Sequence, residues 1–257
     1  MHTIKIFGER NSGTTFVAQF LKLNFDVNIV PGTAAELGKD SLLMAQSSLP
    51  GREGLLIREA MIDDIIEAEF EASLGWKHSA PQTERIAQVI KKKPTVNFLF
   101  ITKNPYAWVL SLFKRPYHNL LRFNRHDLET FILSPWLTVR RDNAPAAFAS
   151  PVSLWNYKVS CYLRSAQELD GILLRYEDLV ISPENAVSTI CTKFDCSPPS
   201  NLRIPLQSTK GEPKSFGVYR DYCRRQTWLR ELSPRELQLI GRQLDNVTMK
   251  RLDYPLA

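Results

Sequence analysis

Seven consecutive residues, Val96–Thr102 (VNFLFIT), carry no charge, follow shortly after a proline and are closed by Asn104-Pro105. An apolar run of that length between turn signals reads as a strand buried on both faces. Tyr106–Phe113 then takes up helical spacing. The same order recurs elsewhere. Thr3–Phe7 is a short strand that ends at Gly8, and Phe16, Val17, Phe20, Leu21 and Leu23 follow at helical intervals. Phe25–Val30 and Leu74–Lys77 are further strand candidates, and Gly171–Arg175 is an apolar run that leads into a helix. Strands separated by helices predict an α/β fold, a three-layer α/β/α arrangement with a central parallel sheet. In such sheets ligands bind beyond the carboxyl ends of the strands. The places to search are therefore just after Phe7, Lys77, Thr102 and Arg175.

The remaining helices carry their own signals. Ile57–Leu74 is acidic and amphipathic, and Gln82–Lys92 is helical in pattern. Ser150-Pro151, Ser182-Pro183 and Ser233-Pro234 each place a capping hydroxyl before a proline at the first helical position. Glu236 completes a capping box with Ser233. Val152/Trp155/Val159/Tyr162, Val187/Ile190/Phe194 and Leu237/Ile240/Leu244/Val247 are core-facing stripes. Pro31–Gly54 shows no clear periodicity and reads as an irregular insertion, with room for a short helix. Neither a repeat nor a linker interrupts the chain, so residues 1–257 are expected to form one domain.

Composition bounds the partners. The net charge of +6 favours anionic ligands, although a solvated basic surface accounts for the charge equally well. There is no long basic arm of the kind that binds nucleic acid. The four cysteines, at 161, 191, 196 and 223, form no C-x-x-C pair and read as buried thiols, and the four histidines are scattered. No metal site is expected. No leader-like segment precedes the first strand, and no apolar stretch approaches the ~20 residues that span a bilayer. The expected location is the cytoplasm.

The loop after the first strand is Gly8-Glu9-Arg10-Asn11-Ser12-Gly13-Thr14-Thr15. Set against the phosphate-binding pattern G-x-x-x-x-G-K-[ST], both glycines and the final Thr15 fit, and Thr14 stands where the lysine belongs. The cradle and the helix N-terminus that favours an anion remain. The lysine that holds a β/γ-phosphate is missing, so a phosphate-like group is expected and a triphosphate is not.

The segment RNSGTTF resembles the 5'-phosphosulfate loop of the PAPS-dependent sulfotransferases (PAPS is 3'-phosphoadenosine 5'-phosphosulfate). The resemblance implies a fold like that of the P-loop nucleoside-triphosphate hydrolases, PAPS as donor, PAP (3'-phosphoadenosine 5'-phosphate) as product, and no metal. It implies donor contacts from Arg10, Asn11, Ser12, Gly13, Thr14 and Thr15. The family usually has Lys or Arg directly before the S/T-G-T-T stretch; here that position is Asn11, and Arg10 lies one step earlier. A second family signature is an Arg or Lys at a strand end with a Ser eight residues on. Lys103 and Ser111 match it, and the resemblance implies that they hold the 3'-phosphate. Leu174–Leu179 (LRYEDL) is similar to an architectural segment of the family. The tail from Lys210 to Tyr254 is similar too, and Lys210, Gly211 and Lys214 are candidates to close over the 3'-phosphate.

Sulfonate transfer needs positioning, a base at the acceptor and charge stabilisation at the leaving group. His78, in GWKHSAP, follows a strand candidate, and an unperturbed imidazole titrates near neutrality, which suits a base. Lys77 beside it is a candidate to neutralise the sulfonate, and Arg10 to stabilise the leaving group. Glu59 is the alternative base. Arg115 and His118 follow the helix after Lys103 and are further candidates to face an acceptor, although the spacing does not require it. The acceptor is expected to be a small molecule or a glycan with a hydroxyl or amine; phenols, sterols, lipids and peptide tyrosines stay open. Two other functions remain open on the same residues. One is a P-loop kinase-like enzyme in which Glu177-Asp178 holds magnesium. The other is a non-catalytic PAP-binding protein.

Overall fold

The computed structural model describes residues 1–39, 51–92, 95–117, 127–205 and 215–257. Its centre is a four-stranded sheet in the order β2-β1-β3-β6, with β1 at His2–Phe7, β2 at Val27–Ile29, β3 at Val96–Thr102 and β6 at Ile172–Arg175. All three pairings are parallel. Phe7 sits opposite Phe100, and Thr102 opposite Arg175, so the strand ends line up along one edge. A two-stranded antiparallel ribbon, β4 at Trp136–Leu137 and β5 at Ala147–Phe148, lies outside this sheet.

The period-2 alternation of the strands divides the core. Phe7, Phe98 and Phe100 enter one buried cluster, with the helices Pro105–Lys114 and Pro151–Glu168. Ile4, Ile6, Leu99 and Ile101 enter the other, with Thr14–Asn24 and Pro183–Phe194. The sheet is thus flanked by helices on both faces, as the alternating sequence pattern requires. Each fully buried large apolar side chain contributes about 1.5–3 kcal/mol, and this stock of burial fixes the strand ends on which the site is built.

Several expectations are corrected. Leu74–Lys77 is a turn, because Leu74 and Gly75 both have positive φ (54° and 90°). It still reaches the sheet edge: the Gly8 N–H donates to the Lys77 carbonyl at 2.9 Å, and the Lys77 N–H donates to Gly32 at 3.0 Å. Gly51–Gly54 belongs to a helix, Gly51–Ala68, rather than to an irregular insertion. Ser150 and Ser233 cap their helices, but the Ser182 side chain does not. Ser182 also closes the preceding helix, Tyr176–Ile181, where its N–H donates to Asp178. Val247 is exposed, because the helix ends at Gly241 and Asp245 caps a new one, Asn246–Arg251. All four cysteines are free, as expected, but Cys191 and Cys196 are only half-buried. Among the described residues no helix is long and apolar enough to cross a membrane.

Candidate functional site

The loop between β1 and the helix Thr14–Asn24 makes a tight turn. Asn11 has φ 66° and Gly13 φ 98°. The Ser12 N–H donates to the Glu9 carbonyl at 3.1 Å, and Ser12 Oγ donates to the same oxygen at 2.5 Å. No side chain caps the helix at Gly13. The N–H groups of Asn11, Gly13, Thr14 and Thr15 find no acceptor among the described residues. Four unpaired donors at the N-terminus of an 11-residue helix make an arrangement that could cradle an anion.

Glycine is required at both ends of this loop. A Cβ on Gly8 would lie 2.6 Å from Ile101, and one on Gly13 would lie 2.4 Å from the Tyr176 ring. Tyr176 is the first residue of the helix after β6. Its ring packs edge-on against Phe16 and stands 5.5 Å from Lys103 Nζ. One aromatic residue therefore wedges between this loop and the second strand end.

At that second strand end, Lys103 Nζ donates to Ser111 Oγ at 2.9 Å, and Ser111 Oγ donates in turn to the Ala107 carbonyl at 2.7 Å. Eight residues separate the pair in sequence, and the helix Pro105–Lys114 folds them together. Asn104 caps this helix by accepting from the Tyr106 N–H. Burial lowers the Lys103 ammonium below the usual lysine range.

His78 sits against the cradle. Nδ1 lies 2.7 Å from the Gly8 carbonyl. A carbonyl only accepts, so Nδ1 carries the proton and Nε2 holds the lone pair. Burial, then Arg10 and Lys77 nearby, hold the imidazole well below its usual value. It is neutral at pH 7, and Nε2 has no hydrogen-bond partner among the described residues. Trp76 meets the ring edge-on at 5.1 Å.

Arg10 stacks over Tyr117, with its guanidinium carbon 4.6 Å from the ring centroid, and no carboxylate pairs with it among the described residues. The structure gives Lys77 and Glu59 other tasks. Lys77 Nζ donates to Glu36 at 2.6 Å, so it serves an ion pair instead of facing the cradle. Glu59 pairs with Arg141, whose guanidinium also binds Asp63 at 2.7 Å. An acid held in that way is a poor candidate for a base. The Arg115 carbonyl accepts from Asn11 Nδ2 at 3.2 Å. His118, Lys210, Gly211 and Lys214 lie outside the described residues.

Glu177 and Asp178 do not form an open acidic pair. Glu177 accepts from the Asn104 N–H at 3.0 Å and from Tyr254 at 2.9 Å, while Asp178 takes both oxygens to Arg175. Arg175 also donates to the carbonyls of Leu252 and Asp253. The RYED segment thus ties the C-terminal tail to the second strand end.

No family model matches the chain, and no curated protein does. Among solved structures it is similar to a sulfotransferase domain from the curacin biosynthetic pathway. The identity is 14%, the TM-score is 0.49, and the match covers 100% of this chain and 99% of that one.

Sequence reasoning overlooked the braces of the site. Trp108 Nε1 donates to the Arg10 carbonyl at 2.8 Å, and Trp155 Nε1 to the Lys103 carbonyl at 3.1 Å. Lys158, fully buried, donates to the His78 carbonyl at 2.8 Å and pairs with Asp142 at 2.7 Å. Each partner lies far away in the chain, so no local spacing reveals it.

Proposed function

We propose that this chain is a sulfotransferase that moves a sulfonate group from PAPS to an acceptor hydroxyl or amine. The observation that carries the reading is the 2.9 Å contact of Lys103 with Ser111, beside a cradle that has Thr14 in place of the P-loop lysine. A triphosphate site needs that lysine, whereas a nucleotide with a 5'-anion and a separate 3'-phosphate needs two anion sites. The cradle amides suit the first anion, and the Lys103 ammonium with the Ser111 hydroxyl suits the second.

In this reaction PAPS supplies the activated sulfonate, and the chain supplies orientation and charge. The acceptor oxygen or nitrogen bonds to sulfur as the sulfur–oxygen bond to the 5'-phosphate breaks. His78 Nε2, neutral and unpartnered among the described residues, takes the acceptor proton. The unpaired amides of Gly13, Thr14 and Thr15, with the Arg10 guanidinium, stabilise the charge left on the phosphate oxygen of PAP. Lys158 and the Gly8 carbonyl hold His78 from both sides of its backbone and ring. A glycan or another small hydroxyl compound is the acceptor class favoured by the basic chain.

Calorimetric titration of PAP, AMP and ATP in the presence of EDTA tests the reading. Binding of PAP well above AMP and ATP is expected, together with sulfonate transfer that survives EDTA. Equal binding of ATP would favour a kinase-like enzyme. Binding of PAP with no transfer to any acceptor would favour a non-catalytic PAP-binding protein.

A further inference from the structure

Glu9 fills an unspecified position of the phosphate-loop pattern, yet it is only 1% exposed. Its carboxylate acts on its neighbour Arg10 in two ways. Oε1 accepts from the Arg10 backbone N–H at 2.6 Å, and it also accepts from the Tyr117 hydroxyl at 2.5 Å. The ring anchored by that second bond is the one beneath the Arg10 guanidinium, at 4.6 Å. Trp76 offers a second aromatic surface at 6.0 Å, and Trp108 holds the Arg10 carbonyl. Arg10 is therefore fixed at its N–H, at its carbonyl and across the face of its guanidinium.

A guanidinium stacked on an aromatic ring keeps its in-plane N–H groups free for an oxyanion. Adjacent acidic and basic residues in a loop have a simpler option, which is to pair with each other at the surface. Here that pairing is absent. Glu9 turns inward, and its Oε2 forms an ion pair with the buried Lys158 at 3.5 Å without a hydrogen bond. A buried carboxylate oxygen left without a hydrogen bond is costly, and such costs persist where geometry serves function.

We propose that Glu9 is a positioning residue which, through the Tyr117 hydroxyl, holds the Arg10 guanidinium stacked with its N–H edge free for the leaving phosphate oxygen. The proposal rests on the sulfonate-transfer reading. Glu9 touches neither donor nor acceptor. It sets where Arg10 stands.

Tyr117→Phe tests this, because it keeps the ring and removes the hydroxyl that bonds Glu9. The direct readout is the Nε–Hε resonance of Arg10, which the Tyr117 and Trp76 rings shift and which Arg10→Lys identifies by its loss. In Tyr117→Phe that resonance should move toward the position of an exposed arginine. Turnover should fall roughly 10- to 100-fold, as small misplacements at a reacting centre do, while KM for PAPS stays within about twofold because the amides and Lys103 are untouched, and Kd for PAP rises because its phosphate oxygen carries the charge that Arg10 faces. Glu9→Gln retains an Oε1 acceptor and should leave the resonance nearly in place. An unmoved resonance in Tyr117→Phe would overturn the proposal, and so would a moved resonance with unchanged turnover. A wild-type protein that fails to bind PAP would instead sink the donor reading, and with it the role given to Arg10, while the resonance would still report the tether.

Discussion

The Tyr176 ring occupies the space that a side chain at position 13 would need, with its Cδ2 2.4 Å from where a Cβ on Gly13 would stand. The φ of 98° at Gly13 adds a second penalty, since side chains disfavour that region. Gly13→Ala must shift either the loop or the ring. A loss of about 1–3 kcal/mol in stability is expected, as for other overpacked sites. Tyr176 also faces Lys103, so a displaced ring should disturb both the loop and the Lys103 ammonium. Denaturant unfolding and PAP titration of the same variant check the two effects. Wild-type stability with wild-type PAP affinity would show that the wedge is not tight.

The contact between Lys103 and Ser111 makes a specific statement about nucleotides. Lys103→Ala should weaken PAP binding by roughly 1.5–3 kcal/mol, the range for a hydrogen bond to a charged group. Ser111→Ala should weaken it less, because a neutral hydroxyl is lost. Neither change should alter the affinity for AMP, which has no 3'-phosphate. The ammonium is already lowered by burial. PAP affinity in the wild type should therefore decline with rising pH before an ordinary lysine would lose its proton, and Lys103→Ala should remove that decline. Calorimetry with PAP and AMP across pH separates these outcomes. Equal losses for both nucleotides would place Lys103 elsewhere than on the 3'-phosphate.

His78 gives a pH profile. Burial, with Arg10 and Lys77 nearby, holds the imidazole well below 6.5, so the free enzyme carries it as a base through neutrality. The acid limb of kcat/KM should lie below the usual histidine range, with a plateau across pH 7. His78→Ala should lower turnover by about 10²–10⁴-fold, the usual worth of a general base, and leave PAP affinity close to wild type. Wild-type turnover in that variant would remove His78 from the mechanism. An acid limb centred at or above 6.5 would show that the ring is not desolvated as placed.

What the sequence revealed and what it hid have one physical cause. Val96–Thr102 and the loop Gly8–Thr15 were legible because a strand buried on both faces and a glycine-bounded turn leave local marks. The closeness of Lys103 and Ser111 was legible because a helix sets the distance between residues eight apart. Tyr117 lies 108 positions from Glu9, and Lys158 lies 80 positions from His78; such contacts exist only once the sheet has assembled. Lys77 misled for a related reason. Its sequence position beside His78 suggests the reaction centre, but adjacent side chains point apart, and the turn aims Lys77 at Glu36. Val247 misled because its helical interval continues across a break at Gly241.

Lys5 provides a test of the fold that is independent of any ligand. It lies on β1, fully buried, and its ammonium faces Phe7 at 4.9 Å. It donates to the carbonyls of Ser73 and, at 2.6 Å, Gly75, with Pro31 at 3.5 Å. These bonds fasten the turn that carries His78 to the central strand. Burial outweighs the nearby Glu36 and lowers Lys5 from 10.5 to about 7. The unfolded chain keeps that proton to about pH 10.5, whereas the folded chain releases it near 7. Between those values the unfolded state binds more protons, so this residue makes stability rise with pH. The slope reaches at most about 1.4 kcal/mol per pH unit. Lys5→Met removes the titration, though it also leaves the carbonyls of Ser73 and Gly75 without their donor, which lowers stability at every pH. The stability difference between wild type and Lys5→Met should therefore widen in favour of wild type from pH 7 to pH 10. Urea unfolding of both proteins across that window measures it, and taking the difference cancels the tyrosines and cysteines that titrate in the same range. A constant difference would mean that the carbonyl cage keeps Lys5 charged throughout, and that the turn beneath His78 is held by an ammonium whose burial costs the fold little.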